Sequence, residues 1–310
     1  MRVFRGFEEI DFKKETILTV GTFDGVHKGH QLILSTLKKQ SEELGFRDLV
    51  MTFHPHPQQV VRRRDKAPLE LLSTIDERIK LFENNSISNV LVIPFTYQFS
   101  QTPPDVFIRE LIVKKVGVDK ILIGYDHLFG KNREGDLSLL KAQGHRFGFE
   151  VEKAPVCQEK NLIISSTKIR HAIKDGNLTL ANELLGYNYF AMGRVVKGDM
   201  RGSTIGYPTA NLHLEDDAKL LPPNGVYFVK VRIGKEEFYG MTNIGLRPTF
   251  KLNEGRTFET NIFDFDRDIY NETIRVEFLE YIREEKKFSG VDTLVEQLKN
   301  DELTCRNKIK

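Results

Sequence analysis

From Thr16 to about Glu152, short apolar runs alternate with amphipathic stretches. ILTV (17–20), DLVMTF (48–53), NVLVIPF (89–95) and KILIG (120–124) are separated by QLILSTLKKQSEEL (31–44), TIDERIKLFEN (74–84) and PPDVFIRELIVKKV (103–116). Near-continuous apolar runs alternating with helical patterns of this length predict βαβ units around a parallel sheet buried on both faces. Thr74 before Asp76 and Glu77, and Pro103-Pro104 before an amphipathic segment, mark helix starts. After Ser166 come two short helical stretches, TKIRHAIKDG and TLANELLG, each ending at a glycine suited to a helix C-cap.

From about Tyr187 the period changes from helical to two. Tyr227, Val229, Val231 and Ile233 alternate with Phe228, Lys230 and Arg232, and Ile274, Val276 and Phe278 alternate with Arg275 and Glu277. With turn signals at Pro222-Pro223-Asn224-Gly225 and Asn271-Glu272, this half reads as an antiparallel β-barrel, closed by a helix over VDTLVEQLKND (291–301). The fold class is therefore α/β plus β, with domains at 1–185 and 186–310, the boundary resting on the change of period.

A chain of 310 residues is long enough for two such cores. Its formal charge of +2, from 46 basic and 44 acidic side chains, gives no global electrostatic case for nucleic acid or a membrane surface, and leaves small anionic ligands held by local fields. Cys157 and Cys305 lack metal-ligand spacing and read as two free thiols of no catalytic role in a reducing compartment. No stretch reaches the roughly 18 apolar residues of a membrane span, and the first residues lack a signal-peptide core, so a soluble cytoplasmic protein is expected. The basic run at residues 62–66 is either a solvated loop or a group of cations beside a phosphate site.

The first chemical element is GTFDGVHKGH, residues 21–30, directly after the first long strand. Ligands of open α/β sheets bind at the carboxyl ends of strands. Gly21 and Gly25 permit sharp turns, and Gly29 at the helix start lets a phosphate approach free backbone N–H groups. His27 and His30, three residues apart, share one side of the first helical turn and can donate to phosphoryl oxygens as charge moves to a leaving pyrophosphate. The alternative is that one histidine caps the helix and the other packs. A second element, ISSTKIR (164–170), opens another helix: Ser165, Ser166 and Thr167 are capping residues, and Lys168 and Arg170 add charge for outer phosphates. Alone it is an ordinary N-cap; beside the first element it reads as phosphate-binding.

In the second half, VVKGDMRGSTIGYPTANL (195–212) carries no Walker-type sequence. Gly198, Gly202 and Gly206 allow either a flap over phosphates or a punctuated hairpin. Thr209 and Asn211 present hydroxyl and carbonyl oxygens from one face of an extended segment, a donor set suited to Mg²⁺.

GTFDGVHKGH and ISSTKIR resemble the two signatures of the nucleotidylyltransferase superfamily. TFHPHP (52–57) and GYDHLFGKNREGD (124–136) are similar to flavin-specific elements of the prokaryotic bifunctional riboflavin kinase/FMN adenylyltransferase family, and the resemblance covers nearly the whole chain. It implies a Rossmann-like N-terminal domain in which Gly21, Phe23, Asp24, His27, Gly29 and His30 hold ATP, and Ser165, Ser166, Thr167 and Arg170 close on its outer phosphates. His54, Pro55, Gly124, Tyr125 and Asp126 would lie near FMN. His127 stands where the family usually carries an aromatic residue; His56 is either another site residue or a bystander in a rigid loop. GYPTAN resembles the family's metal-binding signature, NIGLRPTF (243–250) its next motif, and FETNIFDFDRDIY (258–270) the strand with the catalytic glutamate, which makes Glu259 the general base for the riboflavin hydroxyl. Lys197, Gly198, Gly202, Gly206 and Pro208 would line the ATP flap. Arg247 is either an ion-pair partner or a site contact, and Ser203-Thr204 replaces a basic residue common in the flap.

The resemblance implies Mg²⁺, ATP as co-substrate, and riboflavin, FMN and FAD as ligands, with riboflavin phosphorylated and then adenylylated. The alternatives are an adenylyltransferase with a weak or inactive kinase barrel and a non-catalytic flavin-binding protein. The sequence leaves the oligomeric state open.

Overall fold

The computed structural model describes residues 1–61, 67–124, 130, 135–155, 158–159, 162–198, 201–246 and 256–309. It divides into two compact units, Met1–Ser166 and Thr167–Lys310.

The first unit is a six-stranded parallel sheet built from β1 (Arg2–Phe4), β2 (Thr16–Val20), β3 (Arg47–His54), β4 (Asn89–Pro94), β5 (Lys120–Ile123) and β6 (Glu150–Lys153), in the order β1-β4-β3-β2-β5-β6. The chain steps outward from β2 in both directions, β3 on one side and β5 on the other, so the turn after β2 lies at the topological switch point. All of TILTV is buried, as the unbroken apolar run requires, and Leu18, Leu49, Met51 and Leu91 form its core. β1 was not expected: with three residues it is too short to carry a period.

The helices form where the caps predict. Thr74 accepts from the Glu77 amide while Glu77 accepts from the Thr74 amide at 3.0 Å, a reciprocal capping box at the head of Ile75–Asn84. One helix differs in kind. The segment after Pro103 begins as an α-turn over Pro104–Val106 and continues as a π-helix over Phe107–Val116, ending with the Gly117 amide donating to the Ile112 carbonyl five residues back. A period-of-four apolar pattern at Phe107–Ile108, Ile112 and Val116 satisfies either geometry, so the sequence did not separate them.

In the second unit, after a short hairpin of β7 (Gln158–Glu159) and β8 (Leu162–Ile163) at the end of the first, helices Ser166–Lys174 and Leu178–Leu185 precede the barrel. The barrel comprises β9 (Phe190–Val196), β10 (Ala210–His213), β11 (Gly225–Ile233), β12 (Glu236–Leu246), β13 (Arg256–Ile262) and β14 (Thr273–Arg283), closed and antiparallel in the order β10-β13-β12-β11-β14-β9. Tyr227, Val229, Val276 and Phe278 are buried, as the alternation predicts, and Thr242 and Thr260 satisfy each other by a hydroxyl–hydroxyl bond of 2.8 Å. Val226, Phe228, Met241 and Phe263 are buried as well, because with Cys305 and Leu298 of helix Val291–Arg306 they form a second apolar layer. A buried bidentate pair, Arg283 with Asp301, fixes that helix. Burial raises the Cys305 thiol to about 12, so this thiol is inert; Cys157 lies outside the described residues.

Candidate active sites

His27 is the N-cap of helix Lys28–Leu44, with extended backbone, and its side chain accepts from the His30 amide at 3.4 Å. The two imidazoles stack with ring centroids 3.7 Å apart, and the Phe23 ring meets His30 edge-on at 5.1 Å. His30 Nδ1 is buried and has no hydrogen-bond partner among the described residues. Burial first, then the neighbouring His27 and Arg78, hold the His30 imidazole well below its ordinary value of 6.5. A neutral imidazole with an unused ring nitrogen at a helix N-terminus is equipped to meet an anion. Of the two sequence readings, the alternative is met in part: His27 caps the helix and His30 stacks on His27, while His30 Nδ1 keeps the capacity for a ligand that the first reading needs.

The loop that carries them holds two non-glycine residues in left-handed conformation, Phe23 (φ 49) and Val26 (φ 36), so the turn is strained and must be held from outside. Asp24 does this. Its buried carboxylate accepts from the amides of Leu72 (3.1 Å) and Ser73 (2.9 Å) and from the Ser73 hydroxyl, while Ser73 Oγ accepts from the Gly25 amide at 2.9 Å. Gly21 packs closely under Phe23: a Cβ there would stand 3.0 Å from the ring. Gly29 lies in the first turn of the same helix, partly exposed.

Other residues expected near the flavin lie on the same sheet edge. His54 ends β3, exposed, and is joined to Pro55 by a cis peptide bond. His56 is resolved as a cap: buried, it accepts from the Gln58 amide at 3.1 Å, and its own amide donates to the Gln59 side chain. Gly124 follows β5, and a Cβ there would stand 3.3 Å from Ile33 of helix Lys28–Leu44. Tyr125, Asp126 and His127, like the basic run 62–66, lie outside the described residues. Phe53, Phe95 and Phe99 form a half-buried aromatic cluster beside His54, with Phe95 5.5 Å from each of the other rings. Sequence reading passed over them; an apolar strand running on into PFTYQF was the available signal.

At the second element, Ser166 begins helix Ser166–Lys174, and its hydroxyl donates to the Asp24 carbonyl at 2.9 Å, linking ISSTKIR directly to the glycine loop. Ser165 is half-buried just before the helix; Thr167 and Lys168 are exposed on its first turn, and Arg170 is half-buried one turn on.

In the barrel, Asn211 and Glu259 are direct cross-strand partners, and Asn243 opposes Glu259 from the other side, so three polar residues form one row across β10, β13 and β12. All three are half-buried. Thr209 lies two residues before Asn211, just ahead of β10. Asn261 donates to the Pro208 carbonyl at 2.7 Å and holds the Pro-Thr-Ala-Asn turn against β13. A Cβ on Gly198 would collide with the Asn211 amide group, and one on Gly202 with the Tyr207 carbonyl, so both glycines admit close approach rather than mere freedom. Gly206 is left-handed at φ 82, and Lys197 is exposed just after β9. Ser203 and Thr204 end a short helical turn, Arg201–Thr204. Arg247 lies outside the described residues. Asn243 was visible inside NIGLRPTF, but only the register places it beside Glu259.

The family model for FAD synthetase matches residues 9–168, and that for riboflavin kinase matches residues 185–309. Similar curated proteins include the bifunctional riboflavin kinase/FMN adenylyltransferase of Bacillus subtilis, 38% identical with 93% of this chain and 90% of the relative covered, and that of Escherichia coli, 36% identical with 99% and 97% covered. A crystal structure described as a macrolide-efflux protein from Streptococcus pneumoniae is 35% identical, covers 99% of this chain and 98% of its own, and superposes with a TM-score of 0.85. Among the described residues of this chain, no helix is long and apolar enough to cross a membrane. Matched along nearly its whole length, with a parallel-sheet unit and a closed barrel where the two models fall, the chain belongs to the bifunctional riboflavin kinase/FMN adenylyltransferase family and is an enzyme of flavin cofactor synthesis.

Proposed function

We propose that riboflavin is phosphorylated at the Glu259 row and that FMN is adenylylated at the His27/His30 site. The observation that carries the second step is the stacked histidine pair with its unused His30 nitrogen at the N-terminus of helix Lys28–Leu44. An FMN phosphate oxygen attacks the α-phosphorus of ATP in line, the bond from that phosphorus to the α,β-bridging oxygen breaks, and pyrophosphate leaves with the electron pair. His30 donates to the departing oxygens, the helix N-terminus supplies fixed positive potential, and Ser165 and Ser166, the latter tied to the loop through the Asp24 carbonyl, meet the outer phosphates. Asp24 is assigned to the loop rather than to the nucleotide, since its carboxylate is taken up by Leu72 and Ser73. The aromatic cluster at Phe53, Phe95 and Phe99 offers ring faces and edges of the size a flavin needs.

In the barrel, Glu259 takes the proton of the riboflavin 5′-hydroxyl as that oxygen attacks the γ-phosphorus of ATP, the bond from the γ-phosphorus to the β,γ-bridging oxygen breaks, and ADP leaves with the electron pair. Thr209 and Asn211 would hold Mg²⁺ through their side-chain oxygens, and the lack of a side chain at Gly198 leaves the space that the Asn211 amide occupies. When bound, the ion screens phosphate charge. Catalytic halves of 1–185 and 186–310 are supported by the start of the riboflavin kinase match at residue 185. Use of ATP by both halves accords with a cytoplasmic setting and with small molecules as the only partners required.

The two assignments separate by half-reaction. His30→Ala loses FAD formation from FMN and ATP by about 100-fold or more while retaining FMN formation from riboflavin. Glu259→Gln does the reverse, with a kinase loss of about 100-fold or more. Either variant retaining its own half-reaction removes that residue from the mechanism.

A further inference from the structure

Arg78 is a fully buried guanidinium that the reading of sequence motifs did not single out. It sits in the first turn of helix Ile75–Asn84, where only propensity recommends it. Burying a guanidinium is costly unless its donors are used, and here both Nη groups are used on backbone and hydroxyl oxygens from separate segments. Nη1 donates to Thr52 Oγ1 at 3.1 Å and to the Phe53 carbonyl at 3.2 Å, both at the end of β3 just before His54. Nη2 donates to the Ser73 carbonyl at 3.4 Å. Each of these contacts continues into the strained loop: Thr52 Oγ1 donates to the Thr22 carbonyl at 3.1 Å, and Ser73 binds both Asp24 and the Gly25 amide.

We infer that Arg78 is a positioning residue for adenylyl transfer, holding the 21–25 loop, the end of β3 and the 71–73 segment in one fixed geometry around His30. The inference rests on the adenylyltransferase reading of that site. The same cation is one of the groups that oppose a proton on His30; the others facing it are the stacked His27 and burial itself. Arg78 therefore supports both the place of the imidazole and its neutral state before an anionic substrate arrives.

Rate and titration together test this in the full-length chain, with riboflavin phosphorylation by the barrel as an internal measure of intact protein. Wild-type FAD formation from FMN and ATP, and its loss in His30→Ala, test the underlying reading on their own. Given those, Arg78→Met is expected to lower kcat for FAD formation by about 100-fold, the cost of a misplaced reacting group, with riboflavin phosphorylation unchanged. Arg78→Lys, which keeps the charge but loses the fork, is expected to recover about tenfold of that loss. The His30 imidazole, followed by NMR in the substrate-free protein, is expected to gain its proton at higher pH in Arg78→Met than in wild type or Arg78→Lys. The inference is overturned if Arg78→Met retains kcat within about twofold of wild type, or if both variants lose FAD formation equally with an unshifted His30 titration. The latter pattern would leave Arg78 as a packing residue alone.

Discussion

The imidazoles of His27 and His30 lie stacked at 3.7 Å, one capping the helix and the other carrying an unused buried nitrogen. Two imidazolium ions at this separation would repel, so His27 adds to the burial that holds the His30 imidazole below its ordinary value.

A pH dependence of stability follows. In the unfolded chain His30 takes up its proton near 6.5, whereas in the fold burial, His27 and Arg78 hold it well lower. Between those two points the unfolded state binds a proton that the folded state refuses. Stability from this residue is therefore full above pH 6.5, declines as pH falls through the window, and levels off below the folded value. Thermal unfolding of the substrate-free protein is expected to show a lower midpoint at about pH 5 than at about pH 7, and His30→Gln is expected to flatten part of that slope. Identical slopes for the two proteins would remove His30 as the source.

Gly198→Ala isolates the barrel site. The new methyl collides with the Asn211 side chain, displacing an oxygen assigned to the metal without touching Glu259. Riboflavin phosphorylation is expected to fall by about tenfold or more, and FAD formation from FMN to remain at the wild-type rate. Raising Mg²⁺ should restore part of the kinase rate, which distinguishes a displaced ligand from a collapsed flap.

The clamp on the last helix is a stability device. Asp301 is 2% exposed and accepts three hydrogen bonds from the Arg283 guanidinium, with a fourth from Gln297 at 2.8 Å. Asp301→Ala strands the arginine and is expected to cost about 3–5 kcal/mol in denaturant unfolding of the barrel, whereas removing both partners costs less. A loss below about 1 kcal/mol would mean that Arg283 finds water when unpaired.

Much of this architecture is legible in local pattern. Unbroken apolar runs gave the parallel strands, alternation gave the barrel, and His-x-Gly-His after a strand marked the loop proposed for the nucleotide. What escaped was set by contacts between distant segments. Asp24 reads as a ligand in GTFDG and becomes a loop support only once Leu72 and Ser73 are brought to it. Arg78 belongs to no motif and stands out only through its burial. Asn243 reaches Glu259 only through the β12–β13 register. His56 was open between site and scaffold, and its bond from Gln58 makes it a cap.

The most direct test of the two-site account is a time course of the purified chain with riboflavin, ATP and Mg²⁺, separating riboflavin, FMN and FAD. The account predicts that FMN appears first and that FAD follows with one pyrophosphate released per FAD. Accumulation of FMN without FAD, with added FMN and ATP also unreactive, would contradict the assignment of adenylyl transfer to the His27/His30 site.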